Sequence, residues 1–134
     1  MLKEQHVILC VDDDPDVLAS LRVVLESDGY RVETARSGKE GLREFGRTRP
    51  DLVIMDLMME DVDAGTRLVR EINALAPGVP VYMLSSTGDY LDKAVDVNEL
   101  GFQGVFQKPV DPKILLRLLR VKLVRPPVDE AGKG

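Results

Sequence analysis

Cysteine is almost missing from this chain: Cys10 is the single one. No internal disulfide can form, and a reducing compartment fits. Cys10 lies inside an apolar run and reads as a small buried residue. No apolar stretch approaches the roughly 20 residues of a membrane span, and no signal-peptide pattern is present. These absences predict a cytoplasmic protein with no membrane association. Aromatic residues are scarce, at 4 %, and none interleaves with the basic stretch near the end. With no zinc-ligand spacing and no helix-turn-helix pattern, direct nucleic-acid binding is not expected. There is no internal repeat.

What is there is ordinary for a folded domain. The 134 residues are 44 % apolar and 31 % charged, with a formal charge of −5. That length suits one domain with a real core. The charge is uneven: residues 1–107 carry a net −9, and residues 108–125 a net +5. The basic end reads as the solvated face of a helix rather than a nucleic-acid patch.

Five strand–helix pairs follow one another. Apolar runs at 6–11, 31–35, 51–55, 80–84 and 104–107 read as strands, the first a buried one with β-branched members. Asp14-Pro15, Ser37 with Glu40, and Asp111-Pro112 are helix-start signals. Asp28-Gly29, Arg49-Pro50 and Pro77-Gly78 are stops. A fourth helix, over about 89–99, has only Leu91, Ala94 and Val95 on a clear face. The last helix is expected to run to about Val124. Leu116 and Leu123 fall off its main apolar face, which leaves a partner surface and extra core packing both open. Alternation of this kind predicts a doubly wound parallel sheet covered on both faces, with right-handed crossovers. The Pro- and Gly-rich residues 125–134 are expected to be a disordered tail or the start of a linker.

The strand ends carry the chemistry. VILCV stops at Asp12-Asp13, LVIM at Asp56, VYML at Ser85-Ser86 and GVFQ at Lys108-Pro109. In a parallel sheet these ends share one edge, where open α/β folds place their sites. Three carboxylates gathered there repel one another, so a hard divalent metal and Lys108 are their natural partners. Asp13 reads as a direct ligand of Mg²⁺ and Asp12 as a water-mediated one. The alternative for the Asp12–Asp14 run is simply a capped helix start, and Asp14 is assigned to that. Asp56 caps nothing, and a lone carboxylate ending a buried run is unusual for structure alone. Such a group can act as a nucleophile towards phosphorus. The Ser85 hydroxyl and the Lys108 ammonium can each bond a phosphoryl oxygen; without phosphate, Lys108 can pair with Asp56.

The stretches ILCVDDDPDVLASLR, PDLVIMDLMM, PVYMLSSTGD and the late KP, in this order and spacing, resemble the receiver domain of two-component response regulators. The resemblance covers roughly residues 5–124. It implies a flavodoxin-like, three-layer α/β/α fold with strand order 2-1-3-4-5. It also implies Mg²⁺-dependent transfer of a phosphoryl group to Asp56, with Ser85 and Lys108 contacting the phosphate. Asp12, Asp13 and Asp56 would hold the metal together with the Met58 carbonyl, and Pro109 would follow a cis bond. The implied partners are a sensor histidine kinase or phosphotransfer protein and a downstream output protein or domain, with a homodimer left open. A stand-alone chain and a piece of a longer regulator are equally compatible.

Three departures stand out from that pattern. MMEDVDAG replaces the usual MMPGMDG, putting Glu60 where proline is common and adding a residue before Gly65. That loop is expected to be more acidic and more mobile, with effects on metal affinity or kinase docking. Val105 replaces the usual switch aromatic, so a weaker or different output movement is expected. Ser85 replaces the commoner threonine, a mild change. Two other classes compete. A haloacid-dehalogenase-type phosphatase would use Asp12 as nucleophile and Asp14 as acid/base, but Pro15 and the short chain oppose it. An unphosphorylated pseudo-receiver, a protein-binding module, is supported only by the unusual loop.

Overall fold

The computed structural model describes residues 5–57, 59–61, 63–86 and 97–123. Its elements are β1 (Val7–Val11), α1 (Pro15–Ser27), β2 (Arg31–Ala35), α2 (Gly38–Thr48), β3 (Leu52–Asp56) and α3 (Ala64–Leu75). They continue with β4 (Val81–Ser85), α4 (Val97–Leu100), β5 (Gly104–Gln107) and α5 (Pro112–Lys122). The strands form one parallel sheet in the order β2-β1-β3-β4-β5. This is the doubly wound α/β/α fold that the alternating pattern predicts.

Both faces of the sheet are covered because the central strands are apolar on both sides. Ile8 and Cys10 of β1 and Leu52 and Ile54 of β3 pack with Leu18, Leu21 and Leu25 of α1 and Leu115 and Leu119 of α5. The alternating residues Leu9, Val11, Val53 and Met55 face the other way, against Phe45 of α2 and Leu68, Val69 and Ile72 of α3. The period of two thus assigns each strand residue to one of two cores. Each fully buried large aliphatic side chain contributes about 1.5–3 kcal/mol. Cys10 is buried as expected, and burial pushes its thiol up to about 12.

The helix starts follow their sequence signals. Asp14 and Asp111 accept from the N–H groups of Asp16 and Lys113, each at 2.9 Å, with proline opening each helix. Ser37 Oγ accepts from Glu40 N at 3.0 Å. Caps of this type are worth about 1 kcal/mol each. The α2 helix runs to Thr48 and stops at the expected Arg49-Pro50 signal, with Arg49 in the left-handed region at φ of 49°. The α5 helix ends at Lys122, and Val124 with the 125–134 tail lies outside the described residues. Most of the expected fourth helix, Leu91, Ala94 and Val95 included, also lies outside them; α4 is its last part.

Leu116 and Leu123 resolve towards packing. Leu123 is buried, and Leu116 packs against the core shared by α1 and α5. Ile114 and Val121 are instead the exposed apolar residues of α5. Val105 is exposed while Phe106 is buried beside Tyr82, with ring centroids 5.5 Å apart. Phe106 therefore sits in the α1/α5 core and leaves no ring at the Val105 position.

Candidate functional site

The site is assembled by strand register. Val11 lies opposite Met55 and Met55 opposite Met83, so β3 runs one residue and β4 two residues past the end of β1 on the same edge. Asp56 and Ser85 are the last residues of β3 and β4, one position earlier than their expected place just beyond the strands. Asp12 is the first residue after β1, anchored by its N–H to Ala35 O at 3.0 Å. Lys108 is the first after β5, anchored by its N–H to Ser85 O at 2.7 Å. The Lys108–Pro109 bond is cis, as the resemblance implied.

Side chains converge above that edge. Lys108 Nζ reaches across β4 to lie 2.8 Å from Asp12 Oδ2 and 3.3 Å from Asp56 Oδ2. Asp12 is completely buried. Its Oδ1 accepts from Asp14 N at 2.9 Å, whereas Oδ2 has the Lys108 charge beside it but no hydrogen-bond partner among the described residues. Asp13 is exposed, at the mouth of the cluster. One oxygen each from Asp12, Asp13 and Asp56 lies within 4.8 Å of the others. Ser85 is buried on the adjacent strand end, its Oγ donating to Ser86 O at 3.5 Å. Met58, named for its carbonyl, lies outside the described residues.

The electrostatics follow from that crowding. Desolvation works against the Lys108 charge, but hydrogen bonding and attraction from Asp12 and Asp56 outweigh it, and the Lys108 pKa lies above the usual lysine value. Lys108 therefore stays cationic through the neutral range, and its contribution is lost only as pH rises through that elevated pKa. One ammonium faces three carboxylates, which leaves an excess of negative charge. An all-oxygen acidic pocket of this kind can hold a hard divalent cation.

The loop after β3 contains a contact that the sequence does not reveal. Glu60 Oε1 accepts from Gly38 N at 2.7 Å, and Glu60 Oε2 accepts from Lys39 N at 3.2 Å. Far from hanging loose, the acidic loop is tied at Glu60 to the first turn of α2. Desolvation raises the Glu60 pKa, but hydrogen bonds from the backbone N–H groups of Gly38, Glu60 itself and Lys39 lower it further, so the net value is below the ordinary one. The only available signal was weak: an acid in a loop and a glycine opening a helix, 22 residues apart.

A doubly wound sheet whose carboxyl edge gathers three acids and one lysine defines a CheY-like fold with an acidic pocket. The family model for the response regulator receiver domain matches residues 8–120. The transcriptional regulatory protein GlrR of Escherichia coli is 44 % identical over 117 residues, covering 87 % of this chain and 26 % of GlrR. The response regulator MprA of Mycobacterium leprae is 34 % identical over 127 residues, covering 95 % of this chain and 55 % of MprA. A CheY-like receiver domain protein from Methanospirillum hungatei superposes with a TM-score of 0.79 at 31 % identity, over 97 % of this chain and 99 % of that one. The chemotaxis response regulator CheY4 of Vibrio cholerae gives 0.77 at 30 % identity, over 89 % and 99 %.

The chain belongs to the response regulator receiver domain family of two-component systems. The family's role is in signalling. The chain spans about a quarter of GlrR and about half of MprA. Among the described residues, no helix is long and apolar enough to cross a membrane.

Proposed function

We propose that this chain accepts a phosphoryl group on Asp56 from a phosphohistidine of a sensor histidine kinase or phosphotransfer protein, in a Mg²⁺-dependent reaction. The observation that carries this reading is the convergence of Asp12, Asp13 and Asp56 on one point, with Lys108 bridging Asp12 and Asp56. Asp13, exposed at the mouth of the cluster, would hold the ion directly, and the fully buried Asp12 through water, with Asp56 and the Met58 carbonyl completing the protein's share. When bound, Mg²⁺ supplies positive charge to the oxygens of the transferring group.

The step uses the chain's own residues. A carboxylate oxygen of Asp56 attacks phosphorus and forms the O–P bond as the P–N bond to the donor imidazole breaks. The departing nitrogen keeps that electron pair and takes a proton from solvent. Lys108 leaves Asp56 for a phosphoryl oxygen, and Ser85 donates its hydroxyl to another. The same groups assist the later hydrolysis, in which water attacks phosphorus, the O–P bond to Asp56 breaks, Asp56 leaves as its carboxylate and the water's protons pass to the released phosphate and solvent. The gain of charge then biases the face built from α4, β5 and α5 towards a downstream protein or domain. Val105 offers no ring there, so the output proceeds without ring rotation on β5. An open groove of about 640 Å³ between α1 and the segment after β5, walled by Val17, Val24, Pro109 and Val110, adjoins Lys108 and supports approach by a macromolecular donor. The reading carries with it a cytoplasmic location and a receiver unit over residues 5–124.

Incubation with a small phosphodonor and Mg²⁺ tests this. One hydroxylamine-labile phosphate per chain is expected; none would favour a pseudo-receiver, and steady turnover of phosphate esters a phosphatase. Asp13→Asn separates metal from fold. Removing one of three mutually repelling carboxylates should raise stability in the absence of divalent ions, by only a small amount because solvent screens the exposed Asp13. In the same variant the Mg²⁺-induced rise in Tm should vanish. Calorimetry with and without Mg²⁺ checks both signs, and an unchanged Mg²⁺ response would remove Asp13 from the metal shell.

A further inference from the structure

We infer that Asn73 of α3 is a positioning residue for Lys108, acting through the register of β5. This strand lies at the edge of the sheet and pairs with β4 alone. It is four residues long, and its own pattern selects a register only weakly. Val105 is exposed and Phe106 is buried, so a slip of one residue would exchange one apolar side chain for another. The same slip would turn Lys108 towards the other face of the sheet and move it about 3.3 Å along the strand. Lys108 Nζ lies 2.8 Å from Asp12 Oδ2 and 3.3 Å from Asp56 Oδ2. The register of β5 therefore decides whether the ammonium reaches the acids.

That register is fixed from outside the strand. At the far end, Lys108 N–H donates to Ser85 O at 2.7 Å. At the near end, the chain is held on α3. Asn73 Nδ2 donates to Gly101 O at 3.1 Å, three residues before β5 begins. Gly101 has a φ of 107°, the left-handed value that ends α4, and a Cβ there would run into the Asn73 amide nitrogen. Glycine is thus what lets the side-chain amide come so close. Phe102 follows, buried in one cluster with Val69 and Ile72 of α3, and Gln103 N donates to Val81 O at 2.8 Å. Asn73 is one helical turn beyond Val69, so the two share a face of α3. Apolar contact at Phe102 supplies burial but little direction. The bond from Asn73 to a carbonyl supplies direction, and it sets where the chain enters the sheet.

This role rests on the phosphoacceptor reading of the preceding section, and the two fail in different measurements. Hydrogen exchange is followed on the intact, unphosphorylated chain, wild type against Asn73→Ala and Asn73→Asp. Loss of one directional bond should speed exchange at the Gln103 and Lys108 amides by about tenfold. The Asp12 amide, bonded to Ala35 O on the far side of the sheet, should keep its wild-type rate. Asn73→Asp has nearly the same shape, but its carboxylate cannot donate to Gly101 O, so it should match or exceed Asn73→Ala. With a small phosphodonor and Mg²⁺, both variants should take up phosphate about tenfold more slowly than wild type. Equal acceleration at Asp12 would reduce Asn73 to a general stabiliser of the fold. Wild-type exchange at Lys108 in both variants would show that β5 keeps its place without it. Either result overturns the inference, and so does wild-type phosphate uptake by the variants. A wild type that takes up no phosphate defeats the phosphoacceptor reading, and the role with it, even where exchange responds as stated.

Discussion

Asp56→Asn is expected to reduce phosphoryl uptake to background while the domain stays folded. The amide has nearly the shape of the carboxylate, so the end of β3 keeps its register against β4, where Asp56 lies opposite Leu84. What is lost is the nucleophile. An amide oxygen is a poor nucleophile towards phosphorus, and the neighbouring acids cannot replace it. Asp12 is buried and held by Lys108 and Asp14 N. Asp13 sits at the mouth, beside where the ion would be held. The Lys108 ammonium also loses one of its two carboxylate partners, so its attraction shifts wholly to Asp12. Radiolabel from a small phosphodonor, counted on the wild type and on the variant in parallel, checks the prediction. Uptake within a few-fold of wild type would remove Asp56 from its assigned role.

Gly65→Ala is expected to be the most damaging small substitution to the fold around the site. A Cβ at Gly65 would lie 2.2 Å from Leu57 O and 2.6 Å from Leu57 Cα. These are backbone atoms of the residue that follows Asp56, so neither a rotamer change nor a flexible tip can relieve the clash. The start of α3 must move off the end of β3, and the Gly65 N to Leu57 O bond of 2.8 Å goes with it. Overpacking of this kind costs about 3 kcal/mol. For a chain of this length that is about 10 °C in Tm. Gly46→Ala is the control. It is in α2 with nothing within 4 Å of the added atom, and should stabilise by about 0.5–1 kcal/mol. Equal melting temperatures for the two variants would show that the close approach at Gly65 is not rigid.

The features legible in the sequence are those whose cause is local or periodic. The alternation Ile8, Leu9, Cys10, Val11 specified a strand buried on both faces, and the structure divides it between two cores. Asp14-Pro15 and Asp111-Pro112 carry their own cap and first turn, so those helix starts fall where expected. The acids and the lysine could be placed on one edge because the carboxyl ends of parallel strands all lie at the same edge of the sheet. The contacts that were not legible join residues far apart along the chain. Nothing in a single sequence says that Glu60 meets Gly38, since the pairing depends on how α2 and α3 sit side by side. Leu116 and Leu123 were ambiguous because periodicity on α5 shows one apolar stripe, whereas the helix packs against both the sheet and α1. Strand ends were off by one at Asp56 and Ser85, since the last ladder bonds extend over polar residues that pattern alone assigns to loops.

The most direct test of the whole account is to locate the phosphate. The wild-type chain is phosphorylated by a small donor with Mg²⁺, reduced with borohydride, digested and sequenced by mass spectrometry. An acyl phosphate on an aspartate is converted by this treatment to homoserine, which marks the position permanently. The account predicts that mark at position 56 alone, and its disappearance when Mg²⁺ is chelated before the donor is added. A mark at Asp12 or Asp13, or labelling that persists without a divalent ion, would contradict it.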